Sequence, residues 1–169
     1  GALIQDAITE HLRRKLTDVA VLVASGEVST RRTSALLLLA RLQEGGRRRP
    51  LRLTELLEGQ GEQTAALVSA LQRPGVWLIR QELRDGEPWA TLPHDRLARA
   101  VAELLASPAE LARFELDAEL LELSTLVEQR ARLWRGGDQD AVTLDGARVE
   151  ALAKREAALQ WSETTRGWW

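Results

Sequence analysis

Three observations predict a mainly α-helical fold with one short β-hairpin for this 169-residue chain. Apolar residues recur at steps of three and four over most of its length, the period of amphipathic helices. The stretch from Val76 to Leu92 is instead rich in β-formers, arranged around an Asp85-Gly86 turn. Immediately before it comes a helix, a tight glycine-containing turn and a second helix.

Taken in order, Leu3 to Val23 forms one apolar stripe through Ile8, Leu12, Leu16 and Val19, and Ser25-Gly26 ends it. Thr30 reads as the N-cap of a second helix, whose Ala35 to Ala40 run is apolar on nearly all sides and therefore buried. Gly45 to Pro50 reads as a plain charged loop. Leu53 to Leu57 makes a short helix, Gly59-Gln60-Gly61 the turn, and Ala65 to Leu71 the second helix, closed by Pro74-Gly75. Val76 to Leu83 and Trp89 to Leu92 are the hairpin strands. Helix-turn-helix followed by a β-hairpin is the winged-helix arrangement.

Another amphipathic helix follows Asp95, with Leu97, Val101 and Leu104 on its apolar face. Ser107-Pro108-Ala109-Glu110 is a capping box, predicting one long helix through Phe114, Leu120 and Val127 to Trp134. A last helix begins near Leu144 and carries Val149, Leu152 and Trp161. The domains are thus an N-terminal helix over 1–28, a winged-helix domain over 29–106 and a C-terminal helical segment over 107–169.

Composition excludes several functions. With 23 basic and 25 acidic residues the formal charge is −2, without the basic bias of nucleic-acid-binding domains. There is no Cys, and the two His, His11 and His94, lie far apart in sequence, which argues against a metal site or an imidazole-centred catalytic cluster. Phosphate-binding GxxxxGK[ST], GxGxxG and GxSxG patterns are absent. The chain therefore reads as non-enzymatic, with no cofactor of its own. Its longest apolar run, Ala35 to Ala40, is far below the roughly 20 residues of a membrane span, and no signal peptide is visible, so a cytoplasmic, membrane-free protein is expected. The lack of any Met suggests a piece of a longer polypeptide. The abundance of Arg, Ala and Leu suggests a GC-rich bacterial gene.

Few residues invite a functional role. Arg47, Arg48, Arg49 and Arg80 are the candidates for phosphate or DNA contact. They also read as solubilising charges, and the candidate reading helix Glu62 to Arg73 opens with an acid and carries only one Arg. Asp95 sits where an N-cap belongs, with His94 fixing the strand-to-helix corner. Trp134 and Trp161 are expected to pack together. Trp168 and Trp169 read equally as an apolar interface for another part of the protein or as an unsupported terminal pair. The acidic run Glu115, Asp117, Glu119 and Glu122 is accounted for by a helix dipole and water.

The segment Trp89-Ala-Thr-Leu-Pro-His-Asp-Arg-Leu-Ala-Arg-Ala-Val-Ala resembles the end of the winged-helix domain in STAND ATPases, the signal-transduction ATPases that include the NB-ARC switch proteins. Plant members carry Met-His-Asp where this chain has Pro93-His94-Asp95, so the first position departs from the pattern. Ala35 to Leu42, Leu53-Thr-Glu-Leu-Leu and the short helix before Trp77-Leu-Ile resemble the same family. So do Arg130-Ala-Arg-Leu-Trp-Arg-Gly-Gly-Asp, Leu144-Asp-Gly-Ala-Arg-Val and Leu159-Gln-Trp in the helices that follow. The resemblance implies a regulatory module whose partners are an upstream P-loop domain of the same protein and other protein segments. It further implies that His94 senses the β-phosphate of ADP bound to that domain, while Asp95 orients it or caps the helix. ADP or ATP would belong to the parent protein, not to this segment. The alternative is a winged-helix DNA-binding regulator.

Overall fold

The computed structural model describes residues 2–23, 27–58, 62–135, 137 and 146–155. The described chain is mainly helical, with two small antiparallel sheets. Helix α1 (Ala2–Leu22) and helix α2 (Val28–Arg41) are followed by a hairpin of β1 (Gln43–Glu44) and β2 (Arg47–Arg48). Strand β3 (Leu51–Arg52) leads into α3 (Leu53–Leu57) and α4 (Glu62–Gln72). The second hairpin joins β4 (Arg80–Arg84) to β5 (Glu87–Thr91), and α5 (Asp95–Leu105), α6 (Pro108–Arg113), α7 (Ala118–Arg135) and α8 (Gly146–Arg155) complete the order. β3 returns to pair with β5, giving the sheet order β3-β5-β4 with Leu51 opposite Ala90 and Ala90 opposite Gln81.

The amphipathic stripe of α1 is buried as its spacing demands. Leu12, Leu16, Val19 and Ala20 are fully enclosed and share one core with α2, α4 and α5. Ala35 to Leu39 of α2 are all buried, because this helix runs through the middle with α1, α4 and α5 packed around it. The Asp85-Gly86 turn forms as its composition requires, with both residues at positive φ (51° and 79°), the conformation of a type I′ hairpin. Ser107 caps α6, its Oγ accepting from the backbone N–H of Glu110 at 3.3 Å, with Pro108 in the first turn.

Other elements depart from the sequence expectations. Residues 43–48 are not a plain loop: Gly45 and Gly46 both adopt positive φ (58° and 79°) and close the β1–β2 hairpin. A Cβ on Gly46 would sit 3.6 Å from the Arg99 Cα, so the hairpin turn lies close against α5. Val76 to Ile79 do not begin the strand. Leu78 and Ile79 are buried instead, both donating their N–H to the Leu71 carbonyl, while Trp77 is held at φ 53°. α2 starts before Thr30, so Thr30 is not its N-cap. The long helix expected from Pro108 to Trp134 is two helices, broken where Glu115 takes φ 50° and Asp117 starts α7. Trp134 is 38% exposed and Val149 of α8 41% exposed, so neither is a core residue; Leu152 is fully buried. Leu144, Leu159, Trp161, Trp168 and Trp169 lie outside the described residues.

Candidate functional site

His94 stands between β5 and α5, and it rather than Asp95 is the N-cap. Its backbone is extended (φ −159°, ψ 160°), and Nδ1 accepts from the Leu97 N–H at 3.0 Å. Asp95 is the first helical residue, and its Oδ1 accepts both the backbone N–H of Arg48 (3.1 Å) and Arg48 Nε (3.2 Å). Those bonds, the backbone one first, hold the Asp95 carboxyl below its usual range. The expected order of roles is thus exchanged: the carboxylate is committed to the β1–β2 hairpin, and the imidazole takes the vacant cap.

This geometry fixes the chemistry of the ring. An Nδ1 that accepts a hydrogen bond carries no proton, so the neutral imidazole holds its proton on Nε2. His94 is exposed, and Nε2–H is therefore an accessible donor whose tautomer is set before any ligand arrives.

A second histidine has come close. His11 is an exposed residue of α1, the helix that packs on α5, and its pKa lies below the ordinary 6.5. Burial is the main cause, followed by the positive charges of Lys15, Arg14 and His94. Nothing in the sequence brought the two histidines together; the packing of α1 on α5 does. Because the folded state disfavours protonated His11, its contribution to stability is fully present above about pH 6.5. It is lost as pH falls toward the lowered value in the folded state. His11→Gln is expected to flatten this acid limb, measured by urea unfolding at roughly pH 8 and pH 5. An unchanged pH profile would remove His11 from the account.

The basic candidates are distributed unevenly. Arg47, Arg48 and Arg49 are exposed around the β1–β2 hairpin, and Arg47, Arg99 and Glu103 line an open groove of about 460 Å³ together with Gly45, Gly46, Ala102 and Ala106. Arg80 is on the other hairpin and pairs with Glu82 at 3.6 Å; Arg84 reaches the same carboxylate at 3.2 Å, and Arg52 pairs with Glu87 at 3.3 Å. Arg52 and Arg84 also stack on Trp89, at 5.6 and 5.2 Å from the ring centroid. Carboxylates therefore accompany the cations of the β4–β5 hairpin. The exposed positions of α4 are Glu62, Ala65, Ala66 and Ser69. Arg48 thus contacts Asp95 and Arg47 acts on the same carboxylate through its charge, whereas Arg80 is on the other hairpin.

Sequence reasoning passed over one polar centre. Asp117, one of the acids ascribed to a helix dipole, caps α7 through Oδ1 (Leu120 N–H, 3.1 Å) and accepts Thr30 Oγ1–H at Oδ2 (2.8 Å). Its spacing of three from Leu120 was the available signal. The partner Thr30 could not be inferred, because it lies far away in the chain.

Among the described residues no group of three or more His, Cys, Asp or Glu side chains could hold a metal ion. No helix of the described residues is long and apolar enough to cross a membrane. Comparison of the chain with protein-family models, with curated proteins and with solved structures finds no match in any of the three.

Proposed function

We propose that this chain is the regulatory winged-helix module, with its following helical segment, of a bacterial STAND-type signal-transduction ATPase. The winged-helix reading is supported by the order α2, β3, α3, α4, β4, β5 and by the pairing of β3 with β5 across the hairpin. The observation that carries the functional reading is His94: an exposed imidazole that caps α5 through Nδ1, leaving its proton on Nε2, in a Pro-His-Asp segment.

In this reading the P-loop and the hydrolytic chemistry lie in a preceding domain of the same cytoplasmic protein. That domain holds ADP or ATP, and His94 donates from Nε2 to a terminal phosphate oxygen of ADP, a charge-assisted bond. Asp95 does not touch nucleotide. It anchors the β1–β2 hairpin through Arg48, which keeps the ring's corner in place. The contact favours the ADP state only if it is weaker or absent in the ATP state, and this difference is what couples nucleotide to the sensor and effector parts of the protein.

A DNA-binding role gains no comparable support. The hairpin cations Arg80 and Arg84 are paired with Glu82, and Arg52 of β3 with Glu87, and the outward face of α4 carries an acid and small residues instead of base-reading side chains. Two measurements separate the readings. The reading frame upstream of Ala2 is expected to encode a Walker A sequence between a strand and a helix pattern, and titration of this chain with duplex DNA is expected to give no salt-sensitive binding. A frame without that motif, or duplex affinity that falls steeply with salt and depends on Arg47 to Arg49, would refute the module reading.

A further inference from the structure

We propose that α7 and α8 form a strap that detaches from the rest of the protein as one unit, with Asp117 as the latch that holds it on α2. The inference concerns the mechanics of the chain and does not depend on the nucleotide reading.

The apolar packing divides at Asp117. The main core gathers side chains from α1 through α5 and ends at Phe114, with Leu116 packed against its edge, and it contains no residue of α7 or α8. Those two helices have their own smaller cluster of Leu120, Leu123, Val127 and Leu152. Among the described residues, the one buried member of that cluster from the body is Leu37 of α2; the neighbouring Leu36, Leu38 and Leu39 belong to the main core. Among the described residues the apolar contact of α7 and α8 with the body therefore centres on Leu37, apart from the main core, the condition for a local opening below the cost of global unfolding.

Polar bonds concentrate at the same border. The Asp117 backbone N–H donates to Thr33 Oγ1 at 2.7 Å. Its Oδ1 accepts from the Leu120 N–H, and its Oδ2 accepts from Thr30 and from Arg155 Nη2. One residue thus ties the first turns of α2, the start of α7 and the end of α8. Arg155 Nη1 also reaches Glu119 at 3.5 Å, and Arg32 Nη1 reaches Glu115 at 3.4 Å. The Asp117 side chain is only 12% exposed. Burial raises its pKa, but the bonds from Thr30, Arg155 and Leu120 outweigh burial and hold it below the ordinary 3.8. The carboxylate is therefore ionised at neutral pH and the latch is closed. Asparagine keeps one acceptor oxygen where the carboxylate has two, so either the Leu120 N–H or the Thr30 and Arg155 donors lose their acceptor.

Amide hydrogen exchange on the whole chain tests this. Asp117→Asn is expected to speed exchange in both 118–135 and 146–155 by about tenfold or more, with α1, α4 and α5 unchanged. Arg155→Gln, which leaves the α7 cap in place, is expected to have the same regional pattern with a smaller effect. The unmodified chain supplies a control that needs no variant: α7 and α8 should lose protection together, at a lower denaturant concentration than α2 and α5. Exchange that rises uniformly along the chain, rises in α8 alone, or does not change would overturn the strap. So would a single common opening midpoint for all helices.

Discussion

Truncating Leu38 to Ala is expected to lower the unfolding free energy by about 2–5 kcal/mol. Leu38 is fully buried at the centre of the helix around which α1, α4 and α5 pack. Removing its side chain forfeits apolar burial and leaves a cavity whose walls belong to several helices, so collapse to fill it is resisted from more than one side. Urea denaturation of the two chains measures the difference. A loss below about 1 kcal/mol would mean that α2 is not the central element described here.

The second large effect contrasts two apolar positions of one hairpin. Ala90 is fully buried on the middle strand of the β3-β5-β4 sheet, between Leu51 and Gln81. Ala90→Asp places a carboxylate there with no partner, which is expected to cost about 3–5 kcal/mol. Leu83, near the end of the same hairpin, is 75% exposed. Leu83→Asp should change stability by less than about 0.5 kcal/mol. The two variants have the same new side chain, so thermal unfolding of the pair isolates the packing of the sheet. Equal losses would contradict the register that seats Ala90 inward.

What the sequence disclosed follows from the range of the interactions involved. The stripe of α1, the all-round apolar run of α2, the Asp85-Gly86 turn and the Ser107 cap are decided by residues within a few positions of one another, and each is present. Gly45-Gly46 is also a local turn signal, but its flanking strands are two residues long and polar, too short to display alternation. The break between α6 and α7 lacks Gly or Pro. It depends on Asp117 meeting Thr30 and Thr33 across more than eighty residues of chain, a pairing that no local pattern contains.

The site shows the same division. His94 and Asp95 were visible as a pair at a helix start, yet either could cap by local chemistry. Arg48 decides between them by claiming Asp95 from a hairpin 47 residues away. The proximity of His11 to His94 is likewise a product of helix packing. Trp134 was expected to pack with Trp161 because both lie at the ends of successive helices; Trp134 is 38% exposed, and Trp161 lies outside the described residues.

The most direct test of the central claim is the rate at which ADP leaves the protein that contains the upstream domain, compared between the natural chain and His94→Ala. A donor bonded to a phosphate oxygen in the resting state predicts ADP release faster by about 10- to 100-fold in the variant. Leu97 loses only its cap, so the variant should remain folded. An unchanged release rate from a folded His94→Ala protein would contradict the account, leaving His94 as the cap of α5 and nothing more.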